Sequence, residues 1–209
     1  MTKHIIIICE GDSEVAYIKQ LQSFLDKEAA GIRQLVFVPK NAASGHFTSI
    51  CKMLKEIRKK NRNHKNVQIW VDYDLYHPQR PKNKRQNYLD RPQGVPAFHF
   101  SFHNFEDFLI LHYPLDTVRK WVSVFENTGH FTQPLHHETY KPHFSTIFPD
   151  YRKGLLPVQF VNAVTLGHLK RNLLGRIIPP SDEPDFQDFA KLLLSELEAA
   201  YPEWHRGLI

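Results

Sequence analysis

The chain has 209 residues and a mass of 24.5 kDa, with 42% hydrophobic residues and a formal net charge of +5. That is the size of one domain with extensions, and no apolar run is long enough to span a bilayer, so no membrane partner is expected. The excess charge is local: residues 52–91 carry a net +8 and the remainder −3, a distribution suited to a polyanionic partner.

The first segment, His4 to Cys9, is a short continuous apolar run of the kind found in strands buried on both faces. It is too short for a signal peptide and meets acids at once, so a cytoplasmic address is expected. Gly11 turns the chain into a helix predicted from Glu14 to about Ala30, N-capped by Ser13, closed by Gly31 and buried through Val15, Ile18, Leu21 and Leu25. A second strand, Gln34 to Val38, leads to "SGHFTSICKMLKEIRKK", where Phe47, Ile50, Met53, Leu54 and Ile57 recur at helical spacing. The third strand, Val67 to Val71, ends in "DYDLY", and a basic loop over 77–95 with three prolines separates it from a fourth strand, Pro96 to Phe102. Strands alternating with helices predict an α/β fold, a parallel four-stranded sheet with flanking helices.

From Asn104 onward the pattern is helical: "NFEDFLILHY", "LDTVRKWVSVFEN", "PVQFVNAVTLGHLKRNLLG", and "PDFQDFAKLLLSELEAAY" after Pro179-Pro180. The expected division is a core over 1–115 and a C-terminal helical extension over 116–209 packed on it. Cys9 and Cys51 fall on a strand and a helix face, as packing residues rather than a disulfide or zinc site. His136, His137 and His143 match no tight zinc spacing. Leu109, Leu111 and Trp204 stand as exposed apolar positions for a homo-oligomer interface.

The chemistry concentrates in acids at strand ends. Asp72 and Asp74 close the third strand in a DxD pattern, and side chains two apart on extended backbone share a face. Glu10 closes the first strand. If the sheet order is 2-1-3-4, those two ends meet at the topological switch point, where open parallel sheets hold ligands. Three carboxylates there repel one another unless they share a cation, and Mg²⁺ or Mn²⁺ suits an all-oxygen site. Glu14, one turn beyond Glu10, and Asn104 and Glu106 after the fourth strand stand as further ligands; Asp12 and Ser13 read as capping residues and Asp107 as a solvated acid. The basic runs, with Arg58, Lys59, Lys60, Arg62, Arg80, Lys82, Lys84 and Arg85, read as a nucleic-acid-binding surface.

"EGDSE" followed by "DYD" resembles the Toprim domain shared by topoisomerases, primases and OLD-type nucleases. The order "CEGDSEVAYIKQL", "VDYDLY", "SFHNFEDFLILHY" also resembles RloB-like proteins, compact Toprim relatives of bacterial antiphage loci, over residues 4 to about 115. The resemblance implies a Toprim-like core in which Glu10, Asp72 and Asp74 bind the metal and serve phosphodiester hydrolysis of DNA or tRNA. It further implies Glu14 as the acid four residues after the first glutamate, and Asn104-Phe105-Glu106 in place of the Ser-x-Glu of OLD-type nucleases. The proline that RloB-like sequences often carry after that asparagine is missing here. Lys170, with Arg171, would match a lysine that stabilises developing charge. No P-loop glycine pattern is present, so ATP hydrolysis would fall to an ABC- or AAA-type ATPase partner. Two rivals remain: a non-catalytic Toprim-like docking module, and a haloacid-dehalogenase-like phosphatase, which leaves Glu10 unexplained and would hydrolyse a chromogenic phosphomonoester.

Overall fold

The computed structural model describes residues 2–28, 34–60, 66–73, 76, 91–101, 105–125, 142, 144–149, 152, 155–174 and 188–202. Its centre is one sheet of four parallel strands, β1 (Lys3–Cys9), β2 (Leu35–Asn41), β3 (Val67–Asp72) and β4 (Phe98–Ser101), in the order β2-β1-β3-β4. This is the expected Toprim-like α/β architecture, with β1 and β3 adjacent and their carboxyl ends side by side. Residues Ile5 to Cys9 are at most 2% exposed, as an unbroken apolar run between two covered faces requires. β2 runs three residues past its expected end and includes Pro39, which an edge strand tolerates because one side of its backbone makes no ladder bonds.

Alternation along the strands sorts the core into two layers. Ile5, Ile7, Cys9 and Trp70 face α1 (Asp12–Glu28), α3 (Phe105–Ile110), α4 (Leu115–Phe125), α5 (Ala163–Leu174) and α6 (Asp188–Ala200). Ile6, Ile8, Ile69 and Val71 face α2 (Phe47–Lys60), joined by Tyr73 and Tyr76. α6 crosses the first layer: Phe189 stacks on Trp70 at 3.9 Å, Glu196 accepts from Lys3 Nζ at 2.6 Å, and the Tyr201 hydroxyl just beyond accepts from Gln34 N at 3.2 Å. The C-terminal extension thus shares the core of the sheet. Among the described residues no helix is long and apolar enough to cross a membrane.

Several expectations change. α1 starts at Asp12, not Glu14, and the cap is Gly11, whose carbonyl accepts the first helical bond from Val15 N at 3.3 Å. Tyr17 joins its buried face, while Val15 is half-buried. α5 starts at Ala163 rather than near Pro157, because Asn162 caps it: Asn162 Oδ1 accepts from Thr165 N at 3.1 Å. Leu109 and Leu111 are buried, at 0% and 4% exposure, so neither offers an interface; Trp204 lies outside the described residues. Asp107 is buried, not solvated, and accepts from Trp121 Nε1 at 2.9 Å. Cys9 and Cys51 are free thiols, Cys9 buried and Cys51 half-buried. His136, His137, His143 and residues 77–90 of the basic loop lie outside the described residues.

Candidate active site

β1 delivers Glu10 to the carboxyl edge of the sheet, half-buried. Its Oε2 accepts a hydrogen bond from the Asp72 backbone N–H at 3.0 Å, so one expected ligand is tied to the strand end that carries another. The loop from β2 to α2 closes over the other side of this carboxylate. Ala42 N donates to Cys9 O at 2.9 Å, and the Tyr76 hydroxyl donates to Gly45 O at 2.7 Å. Asp12 Oδ1 accepts from Asn41 Nδ2 at 2.6 Å, joining the end of β2 to the start of α1.

Glu14 sits in the first turn of α1, only 4% exposed. Its Oε2 accepts from Gly11 N at 3.2 Å, the reach of a third-position glutamate back to the cap. Burial drives its pKa up to about 8, with the Glu10 carboxylate adding to the rise, Glu106 adding less, and the backbone hydrogen bonds opposing it. The same acid, after burial, helps push up the Cys9 thiol. Further along α1, the Tyr17 ring stands edge-on to Trp70 at 5.8 Å and to Phe108 at 5.0 Å, and Trp70 lies 5.5 Å from Phe105.

By strand alternation Asp72 shares the α1 face with Trp70, whereas Glu10 meets the loop on the α2 side. Asp72 pairs in register with Ser101, the last residue of β4. Ser101 is 1% exposed and its hydroxyl has no hydrogen-bond partner among the described residues, a feature its sequence context does not announce. The structure therefore brings Glu10 and Glu106 each within electrostatic reach of Glu14, and Glu10 against the Asp72 backbone. Among the described residues no three Asp, Glu, His or Cys side chains converge as a metal-holding group. Asp74 and Asn104, two of the six expected ligands, lie outside the described residues. The donor set that is seen is all carboxylate oxygen, and its mutual repulsion is of the kind a hard divalent cation relieves.

The family model for RloB-like protein matches residues 5–156, well over half of the chain. The chain belongs to the RloB-like family. No curated protein and no solved structure matches it. The RloB-like match spans every expected carboxylate and ends before α5 and α6, which complete the core of this member.

In this RloB-like chain α2 begins beside the carboxyl edge and runs back along the sheet, so its last turn, with Arg58, Lys59 and Lys60, lies about 20 Å away at a rise of about 1.5 Å per residue. All three are exposed, and Arg58 donates to the carbonyl of Gly94. Arg62, Arg80, Lys82, Lys84 and Arg85 lie outside the described residues. Lys52 and Lys55 went unnamed as phosphate contacts, although their helical offset from Lys59 places all three exposed lysines on one stripe leading towards the carboxylates. Lys170 Nζ, the expected charge stabiliser, pairs with Glu198 at 2.7 Å and so joins α5 to α6.

Proposed function

We propose that the chain is a Mg²⁺- or Mn²⁺-dependent nuclease of Toprim type, related to OLD-type nucleases, that hydrolyses phosphodiester bonds of DNA or tRNA. It would act in the cytoplasm as the effector of an antiphage defence system, with an ABC- or AAA-type ATPase as partner. The observation that carries this reading is the placement of Glu10: its Oε2 accepts from the Asp72 N–H where the carboxyl ends of the adjacent parallel strands β1 and β3 meet, the edge where such sheets bind ligands, and it raises the pKa of the buried Glu14 beside it. Membership of the RloB-like family supports it.

When bound, the divalent ion supplies charge to the scissile phosphate and acidifies the attacking water. The chain's part is to hold and orient. Glu10, Asp72 and Asp74 are the principal ligands, with Glu14, Asn104 and Glu106 in support. Glu10, held at the strand end by the Asp72 N–H, is placed to take a proton from water or return one to the departing oxygen. Arg58, Lys59, Lys60 and the basic residues of the 77–95 loop hold phosphates away from the chemistry.

The test is incubation of the purified chain, with its ATPase partner, with plasmid and tRNA in Mg²⁺ or Mn²⁺, beside an Asp72→Asn/Asp74→Asn control. Loss of the metal carboxylates should slow cleavage roughly a thousandfold or more. Equal cleavage by both proteins would trace the activity to a contaminant. The rival reading is the non-catalytic docking module. Calorimetry decides between the two: uptake of Mn²⁺ that disappears in Asp72→Asn supports the nuclease, and no uptake supports the docking module.

A further inference from the structure

We propose that Gly45 and Tyr76 form a positioning clamp that sets the orientation of the Glu10 carboxylate before any ion or substrate arrives. The proposal rests on the nuclease reading for its purpose, since Glu10 is the group it serves, and on geometry for its existence. A Cβ on Gly45 would stand 2.7 Å from Glu10 Cδ and 3.0 Å from Oε1, and would overlap Oε2. Gly45 does not have a positive φ, unlike Gly94, so its backbone does not require glycine. Closeness to the carboxylate does.

The loop is held against Glu10 from behind. The Tyr76 hydroxyl donates to Gly45 O at 2.7 Å, and the ring is fully buried, 5.5 Å from both Phe98 and Phe100. At the start of the loop, Ala42 N donates to Cys9 O, so the segment leaves the sheet already bonded to the residue before Glu10. On the far side, the Asp72 N–H binds Oε2. Glu10 thus lies between a backbone donor on β3 and the bare Cα of a glycine that a buried tyrosine keeps in place. A long carboxylate held this way loses little further freedom when a ligand binds, which is the benefit of pre-organisation. Tyr76 lies two residues beyond Asp74, so the segment that bears the DxD acids also anchors the clamp on Glu10.

Gly45→Ala is the direct probe. The colliding atoms are the far end of a flexible side chain, so the carboxylate should swing aside with the fold intact, breaking its bond to Asp72 N. In the full-length protein, Mn²⁺ titration calorimetry should show affinity falling roughly 10- to 100-fold, the range typical of lost supporting contacts around a metal. Tyr76→Phe should weaken Mn²⁺ binding in the same direction by a smaller factor. Thermal unfolding in EDTA supplies the readout that a merely structural glycine would not give. Gly45→Ala should lower Tm in the parent chain and raise it in a Glu10→Ala background, where alanine meets no carboxylate and only restricts the unfolded chain. A shift of the same sign in both backgrounds overturns the clamp, as does unchanged Mn²⁺ affinity in Gly45→Ala. If the parent binds no Mn²⁺, the nuclease reading fails, and the sign of the Tm shifts still decides the clamp.

Discussion

Replacing Glu14 by glutamine should make the metal-free protein more stable, although Glu14 is fully packed in the native state. The folded chain holds its proton up to a pKa of about 8, against an ordinary value of 4.5. The unfolded chain therefore releases that proton at lower pH than the folded one, and the stability present below pH 4.5 is lost as pH rises towards 8. At pH 7 most of that loss has accumulated, about 3 kcal/mol at 1.36 kcal/mol per unit. Glutamine keeps an oxygen to accept the Gly11 N–H and removes the charge, so that figure is the upper limit of the gain. For a chain of this length each kcal/mol moves Tm by roughly 2–4 °C, so Glu14→Gln should melt up to about 10 °C higher in EDTA at pH 7. The advantage should shrink to nothing at pH 4.5. Mn²⁺ should then raise Tm of the parent more than that of the variant, since the variant has lost a ligand. A Glu14→Gln protein that melts lower than the parent in EDTA at pH 7, or a difference that ignores pH, would refute the electrostatic reasoning.

Three further outcomes are expected. His112 is fully buried, and burial pulls its pKa down to about 3, so the folded chain keeps it neutral where the unfolded chain protonates it near 6.5. In the Glu14→Gln background, where the opposing titration is gone, urea-unfolding free energy should fall as pH drops below 6.5, by up to about 1.4 kcal/mol per unit from this group, and a flat profile between pH 6.5 and 5 would contradict it. Ser101→Ala removes a buried hydroxyl that has no partner among the described residues, so its urea midpoint should hold or rise; a loss above about 1 kcal/mol would mean that the hydroxyl is bonded after all. Replacing Lys52, Lys55 and Lys59 together by glutamine should reduce the slope of log affinity against log salt for single-stranded nucleic acid by about 2, whereas an unchanged slope would make the stripe an ordinary solvated face.

The strands were readable because a parallel sheet covered on both faces demands unbroken apolar runs, and "IIIIC" and "VQIWV" are such runs. Their acidic ends were readable for the complementary reason, since a charge directly after a buried run can only mark the edge where the strand meets solvent or ligand. Gly45 was not readable: within "AASGHF" it looks like any turn glycine, and only the approach of a side chain 35 positions earlier gives it a reason. Asp107 was misjudged because its partner, Trp121, is supplied by the next helix. Leu109 and Leu111 were misjudged because "FLIL" is apolar all round, the pattern of a helix enclosed by others, and the enclosing α4 and α6 lie in the extension whose packing the core segment alone cannot show. Spacing puts Glu14 one turn beyond Glu10, but its double use, capping α1 and feeling the Glu10 charge, appears only in three dimensions.

That double use bears on which kind of charge the site is built to receive. Glu14 is buried, its Oε2 already accepts from Gly11 N–H, and the acid that repels it most, Glu10, follows β1 at the carboxyl edge of the sheet, so the repulsion there calls for relief. A proton is one form of relief, and the elevated pKa of Glu14 says that the metal-free chain takes it at neutral pH. But a proton on Glu14 neutralises that carboxyl group alone, not Glu10 or Glu106. A divalent cation at the same edge offsets charge on all of them at once and must displace that proton to bind through Glu14. Proton release on Mn²⁺ binding, read from the dependence of calorimetric heat on the ionisation enthalpy of the buffer, should therefore be substantial at pH 7 and absent in Glu14→Gln. Binding that releases no proton in the parent would place the ion away from Glu14 and leave that acid a capping residue alone.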